Sequence, residues 1–201
     1  LILFYNIIEK LKIPNFKRRG FNIPWHQFTR REKTALNVLS NYNDNIHSLL
    51  NIGFHNWEDK RNHWWIKICN KNNINWVILE IFKNNIIQAI NKGCPKNNIF
   101  EGNILEPQTY KNFDCILFWH GPEHIEKKTF INKLPNIEKK ANKIIIFGMP
   151  DGEEIQGAIY GNKFEEHISS WDVKDWEELG YKTIVVNDRT PGHITAYKIF
   201  N

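Results

Sequence analysis

The sequence predicts an α/β fold: a doubly wound, mostly parallel seven-stranded sheet with a C-terminal antiparallel hairpin and an N-terminal helical cap. Three observations carry that expectation. From Ser48 onward, short apolar runs alternate with segments of helical spacing, the pattern of strand–helix–strand crossovers. "INWVILE" (Ile74 to Glu80) is apolar almost without alternation, as a strand covered on both faces requires. The last two runs, "KTIVVND" and "ITAYKIF", are joined only by "RTPGH", which suits a hairpin and not a helical crossover.

The elements follow in order. Phe4, Ile7, Ile8 and Leu11 fall at helical spacing, and Pro14 closes that segment. "FKRRGFNIPWHQF" is a Gly- and Pro-punctuated loop. Thr29 caps a second helix through Leu39, with Glu32 completing a capping box. Leu49 to Ile52 is the first strand. Asn56 is placed to cap a helix with Glu58 and Asp59 in its first turn and Trp57, Trp64, Trp65 and Ile68 as its apolar stripe. After the second strand, a helix through Ile86, Ile87 and Ile90 stops at Gly93. "NNIFEGN" is the third strand and "FDCILFWH" (Phe113 to His120) the fourth. A helix from Glu123 to Lys140 follows, with Pro122 in its first turn and a break at Pro135. "NKIIIFGMP" holds the fifth strand, and "SWDVKDWEELGY" a capped helix closed by Gly180. Residues 1–45 are read as a cap or substrate lid of the same domain, and residues 46–201 as the α/β domain.

At 201 residues the chain is long enough to bury one sizeable core. No run approaches the length of a membrane span, and the opening "LILFYNIIEKLKIP" lacks the basic leader and cleavage site of a signal peptide. Cys69, Cys94 and Cys115 are odd in number and widely spaced, so they read as reduced thiols of a cytoplasmic protein and not as a zinc or disulfide framework. The net charge is +5, yet the dense basic runs are only "KRR" (Lys17 to Arg19) and "RREK" (Arg30 to Lys33). Both read as solvated faces, which disfavours a nucleic-acid partner.

Right-handed crossovers gather the C-terminal ends of parallel strands along one edge, where ligands bind. Gly53, Glu80, Asn103, Trp119 and Gly148 all lie just past strand ends, so they are expected on one rim.

The order of these features resembles the class I S-adenosylmethionine-dependent methyltransferases, over Ser48 to Phe200. "LLNIGFHNW" is similar to the family's first motif in its strand and one glycine, Gly53, but has Asn51 for the acid and His55 and Trp57 where glycines are usual. Glu80 in "VILEI" matches the acidic residue that holds the ribose hydroxyls, and Asn103 in "EGNILE" the polar position beside the adenine. "FDCILFWHGPEHIEK" resembles the family's fourth-strand stretch, and the tail "EEHISSWDVKDWEELGY" its segment before the sixth strand. A seventh strand inserted beside the fifth is the topology the resemblance implies, in a Rossmann-like sheet. The implied cofactor is S-adenosylmethionine, held by Asn51, Gly53, His55, Trp57, Glu80, Ile81, Gly102, Asn103, Ile104 and Trp119. Trp57 has two open readings: a face toward the sulfonium or a helix core residue.

His120, Glu123 and His124 form "HxxEH". Pro122 argues against one continuous metal-binding helix, and the nearer parallel is the "ExxEH" of metal-using O-methyltransferases, with His120 for the first Glu. A metal on His120, Glu123 and His124 is thus one reading, and a helix-opening Glu beside a packed His the other. His120, His124 and His167 are the candidate catalytic residues, since a neutral imidazole can take the proton that leaves a hydroxyl or amine during methyl transfer. Trp25, His26, Tyr160 and Trp171 are expected to bind substrate at the opening. The implied acceptor is an oxygen or nitrogen of a small molecule or glycan, and a homodimer is compatible with the reading. The rivals are a methyltransferase fold serving as an inactive scaffold or partner, a nicotinamide oxidoreductase, and a nucleic-acid methyltransferase. The missing glycines and terminal hairpin weigh against the second, and the modest charge against the third.

Overall fold

Seven strands run in the order β3–β2–β1–β4–β5–β7–β6 in the computed structural model, which describes residues 28–41, 46–54, 57, 63–159 and 161–200. They are β1 (Ser48–Ile52), β2 (Asn75–Glu80), β3 (Ile99–Glu101), β4 (Phe113–Trp119), β5 (Ala141–Asp151), β6 (Lys182–Val186) and β7 (Gly192–Ile199). The helices are α1 (Arg30–Asn41), α2 (Trp64–Lys71), α3 (Lys83–Asn91), α4 (Lys127–Glu138) and α5 (Val173–Glu178). β1 to β5 pair in parallel, and β7 runs antiparallel to both β5 and β6. The predicted seven-stranded, mostly parallel sheet and the insertion of β7 beside β5 are therefore what the chain adopts.

Alternation along the central strands builds two cores. Cys115 and Leu117 of β4, with Ile144 and Ile146 of β5, face the side covered by α1, α2 and α3. Ile116 and Phe118, with Ile145 and Phe147, face α4 and α5. Burial on both faces explains why these strands read as continuous apolar runs.

Local chemistry fixes the boundaries. Thr29 and Glu32 form the expected capping box on α1, each backbone N–H donating to the other's side chain at 2.7 and 3.2 Å. Asp172 and Asp175 do the same for α5. Asp114 ties the start of β1 to β4, its Oδ2 accepting from the His47 and Ser48 backbones at 2.8 and 3.0 Å.

Three expectations are corrected. The helix placed from Glu123 to Lys140 is two elements. Pro122–His124 is a 3-10 turn, Ile125 is extended, and Glu126 caps α4 by accepting from the backbones of Lys128 and Thr129. Pro135 does not break α4, because it lies on the exposed face where water can meet the carbonyl it leaves unpaired. Arg31 belongs to no solvated face: it is 8% exposed, and its Nε donates to Asp188 Oδ1 at 3.0 Å. The first predicted helix, "KRR" and the cap residue Asn56 lie outside the described residues, and α2 begins at Trp64.

Candidate active site

The strand ends converge as expected. A cavity of about 770 Å³ opens over the C-terminal edge of β1, β2, β3 and β4, within the range of small-molecule sites. Asn51, Gly53, Glu80, Ile81, Gly102, Asn103, Ile104, Trp119, His120, His124 and His167 all line it. Gly148 departs from the expectation: it lies inside β5 and not past its end, it does not line the cavity, and a Cβ there would stand 2.3 Å from the Trp119 ring.

Each of these positions has a local cause. Gly53 takes φ +68°, the left-handed region that only glycine enters without strain, and its N–H donates to Leu79 O at 2.8 Å. Asn51, standing where the family has an acid, donates from Nδ2 to the Gly53 carbonyl at 2.6 Å. Asn103 Oδ1 accepts from the Leu105 backbone at 2.9 Å, which leaves its amide NH2 as the donor.

Glu80 is the most constrained group at the cavity. It is 3% exposed, and its two oxygens accept from the Phe54 and Phe82 backbones at 3.1 and 2.7 Å. Burial drives its carboxyl up to about 7, outweighing those two amides, which favour the charged form. The Asn85 side chain also favours the charged form, and of the carboxylate's roughly four lone-pair positions the capacity left over faces the cavity for hydroxyl donors.

The other end of the cavity belongs to the histidines. His120 has φ +52°, an unusual conformation for a residue with a Cβ, held by its N–H donating to Gly148 O at 2.7 Å. Its Nδ1 lies 3.4 Å from Glu123 Oε1, a charge contact that does not reach hydrogen-bond geometry. The loop after β5 brings in His167. Ile168 and Ser169 N–H donate to the Glu123 carbonyl at 2.9 and 3.1 Å, and the His124 and His167 rings meet edge to face at 4.9 Å.

Two expectations fail on packing. Trp171, expected at the opening, is 1% exposed in the core, against Phe130 at 5.6 Å and Trp176 at 4.9 Å, with Nε1 donating to Ser169 Oγ. Trp57 does not line the cavity and is not in the described helix either: it stands in a turn, partly buried against the core, its ring 4.5 Å from His63 and 6.0 Å from Phe54. Trp25, His26, His55 and Tyr160 lie outside the described residues.

Sequence reasoning missed Arg31 and Arg189, which close one side of the cavity, and Glu154 and Gln156, which order the loop after β5. Gln156 Nε2 donates to Glu165 O at 2.7 Å, and Gln156 O accepts the His167 N–H at 3.0 Å. The only signal was the Gly-rich composition of 152–161, which marks a loop and not its contacts.

No protein-family model and no curated protein matches the sequence. Solved structures match in fold. An S-adenosylmethionine-dependent methyltransferase from Clostridium acetobutylicum ATCC 824 superposes with a TM-score of 0.59 at 10% identity, covering 98% of this chain and 97% of its own. The plantazolicin methyltransferase BpumL, in complex with a triazolic desmethylPZN analog and S-adenosylhomocysteine, gives 0.58 at 15% identity over 98% and 93%. Magnesium protoporphyrin IX methyltransferase from Synechocystis PCC 6803, with bound S-adenosylhomocysteine, gives 0.55 at 10% over 92% and 91%. With its sheet order, antiparallel final strand and rim of strand-end residues, this chain has the class I S-adenosylmethionine-dependent methyltransferase fold.

Proposed function

We propose that this protein binds S-adenosylmethionine and transfers its methyl group to an oxygen or nitrogen of a small-molecule or glycan-like acceptor. Glu80 carries the reading. A carboxylate buried at the end of β2, pinned by two backbone N–H groups and opening on the cavity, is suited to accept two vicinal hydroxyls. Gly53 adds room, since a Cβ there would meet nothing within 4 Å. Asn103 and Ile104 then bound the adenine side, and Asn51 and Ile81 the approach from the ends of β1 and β2. The S-adenosyl ligands named with the neighbouring structures support the same cofactor.

When bound, the cofactor supplies an electrophilic methyl group on a positively charged sulfur. The chain's task is to hold the acceptor in line and to take its proton. His120 lines the cavity with 40% of its side chain exposed, so it is reachable. Glu123 Oε1 stands 3.4 Å from its Nδ1. The acceptor side is mixed, with Phe164 and Ile159 beside Glu154, Gln156 and Arg189, which suits a molecule with both apolar and hydroxyl-bearing faces. Among the described residues no helix is long and apolar enough to cross a membrane.

The test is calorimetric titration with S-adenosylhomocysteine. The parent protein binds one equivalent. Glu80→Ala loses two hydrogen bonds to a charged group, each worth about 1.5–3 kcal/mol, and weakens binding at least a hundredfold. Absence of binding by the parent protein overturns the enzyme reading; equal binding by the variant overturns the ribose assignment alone.

A further inference from the structure

We infer that the acceptor is an organic amine on an apolar body, recognised as its ammonium where the loop after β5 borders the cavity. The inference rests on the methyltransferase reading and narrows its acceptor atom to nitrogen.

The cavity has a charge opposite to that of the chain. The chain carries +5, yet five carboxyl side chains line the cavity against two arginines. Both arginines already meet acids. Arg31 Nε donates to Asp188 Oδ1 at 3.0 Å and its Nη2 to the Pro191 carbonyl at 3.3 Å, while Arg189 stands 3.6 Å from Glu154 Oε1. Glu32 caps α1, and Glu80 holds the turns after β1 and β2. Glu165 meets a neutral group, its Oε1 accepting from Asn162 Nδ2 at 3.5 Å. The S-adenosyl group, an amino acid on a sulfonium, offsets only part of this acidic excess.

Two independent observations point to the same ligand. The first is Glu123, which sits between the cavity-lining His120 and His124 in the turn after β4. It is 2% exposed, and neither carboxylate oxygen is hydrogen-bonded. An ionised carboxylate buried this way is costly without a cation nearby, and burial leaves its field poorly screened.

The second is apolar. Three of the five large hydrophobic side chains exposed among the described residues, Ile155, Phe164 and Ile168, belong to the loop after β5. Acids are interspersed with them: residues 151–169 hold Asp151, Glu153, Glu154, Glu165 and Glu166 against the single lysine Lys163. Apolar side chains left in water beside a cavity mark a contact surface. Their acidic neighbours disfavour an anionic occupant and favour a cationic one. Phe164 also lines the cavity and offers an aromatic ring to an ammonium.

The ammonium gives its proton to His120, and the freed nitrogen lone pair forms the new nitrogen–carbon bond. The carbon–sulfur bond breaks with its electron pair staying on sulfur, so the products are a methylammonium and S-adenosylhomocysteine. The nitrogen is cationic before and after transfer, and the same carboxylates hold acceptor and product.

The experiment compares 4-phenylbutylamine, 4-phenylbutanol and 4-phenylbutyrate, which share one apolar body and differ in the charge of the head group. Each is titrated into the full chain by ligand-observed NMR, with saturating S-adenosylhomocysteine and again without it. Binding of S-adenosylhomocysteine is measured separately, so its failure is distinguishable from failure of the amine preference. The amine is expected to bind at least tenfold more tightly than the alcohol, with the carboxylate weakest. Glu165→Gln, at a partly exposed loop position, should weaken the amine at least fivefold and leave the alcohol unchanged, while Glu178→Gln on the exposed face of α5 changes neither. The comparison of head groups on the parent protein needs no variant to fold. Amine affinity within about threefold of the alcohol's overturns the proposal, as does amine affinity unchanged in Glu165→Gln.

Discussion

Glu80→Gln converts the central buried carboxyl into a near-isostere that cannot ionise, and its consequences have a definite sign. Burial raises the folded-state pKa from 4.5 to about 7, so folding favours the protonated form. Below pH 4.5 the carboxyl is protonated in both states and nothing is lost. As pH rises from 4.5 through 7, the unfolded chain ionises first and the folded state loses stability relative to it. At 1.36 kcal/mol per tenfold change, the loss between pH 5 and pH 8 is about 2–3 kcal/mol.

The substitution removes that slope and adds a constant cost. The new amide has one oxygen for the two N–H groups of Phe54 and Phe82, so one donor faces an NH2, for about 1–3 kcal/mol. Urea unfolding of both proteins at pH 5, 6.5 and 8 reads the difference. The parent's advantage is expected to shrink by about 2–3 kcal/mol from pH 5 to pH 8. Taking the difference removes the slopes of all other groups. Hydroxyls donate best to the ionised form, so S-adenosylhomocysteine should bind the parent about a hundredfold more weakly at pH 5 than at pH 8. A parent-minus-variant difference that stays constant across this range refutes the account of Glu80, whatever the binding data show.

Three further outcomes are expected. Gly53→Ala places a Cβ at φ +68° in open space, so strain without clash should cost about 1 kcal/mol in chemical denaturation; an unchanged midpoint would contradict the left-handed turn. Asp114→Ala removes the acceptor for the His47 and Ser48 backbone N–H groups and should destabilise by about 1–3 kcal/mol, with S-adenosylhomocysteine affinity retained because the site is at the other end of β1. His193 is fully buried, and its pKa is pushed down to about 2, first by burial and then by the charges of His120, Arg31 and Arg189. Its stabilisation is present above pH 6.5 and lost as pH falls from there toward 2, so His193→Leu should flatten the acid limb of the stability profile; an identical acid limb counts against a buried neutral imidazole.

The fold was legible where one residue type does one job at one distance. Thr29 with Glu32, and the unbroken apolar run of β2, each allow one local structure. The site was legible at strand ends, because topology alone sends those positions to one rim. Contacts made across the chain were not readable. Trp171 looked like a lid residue because sequence cannot distinguish an aromatic on a loop from one turned into the core beneath α4. Arg31 looked solvated because its partner, Asp188, is 157 residues away. The helix start at Glu123 was misread for a different reason: Glu123 and Glu126 are both plausible N-terminal carboxylates, and only Glu126 finds the Lys128 and Thr129 backbones.

The turn after β1 is fixed around Gly53 by three hydrogen bonds. The turn is pinned to β2 at two points: Gly53 N–H to Leu79 O and Phe54 N–H to Glu80 Oε2. Asn51 Nδ2 closes it further by holding the Gly53 carbonyl. Among the described residues of this turn, Gly53 carries the positive φ. The Phe54 ring packs 6.0 Å from both Trp57 and His63. Glu80 belongs to this device as much as to the cavity: one carboxylate oxygen fixes the turn of β1 and the other the turn of β2. Its substitution should therefore register in stability and in cofactor affinity together, whereas Gly53→Ala acts on the turn's backbone and leaves the hydroxyl acceptor intact.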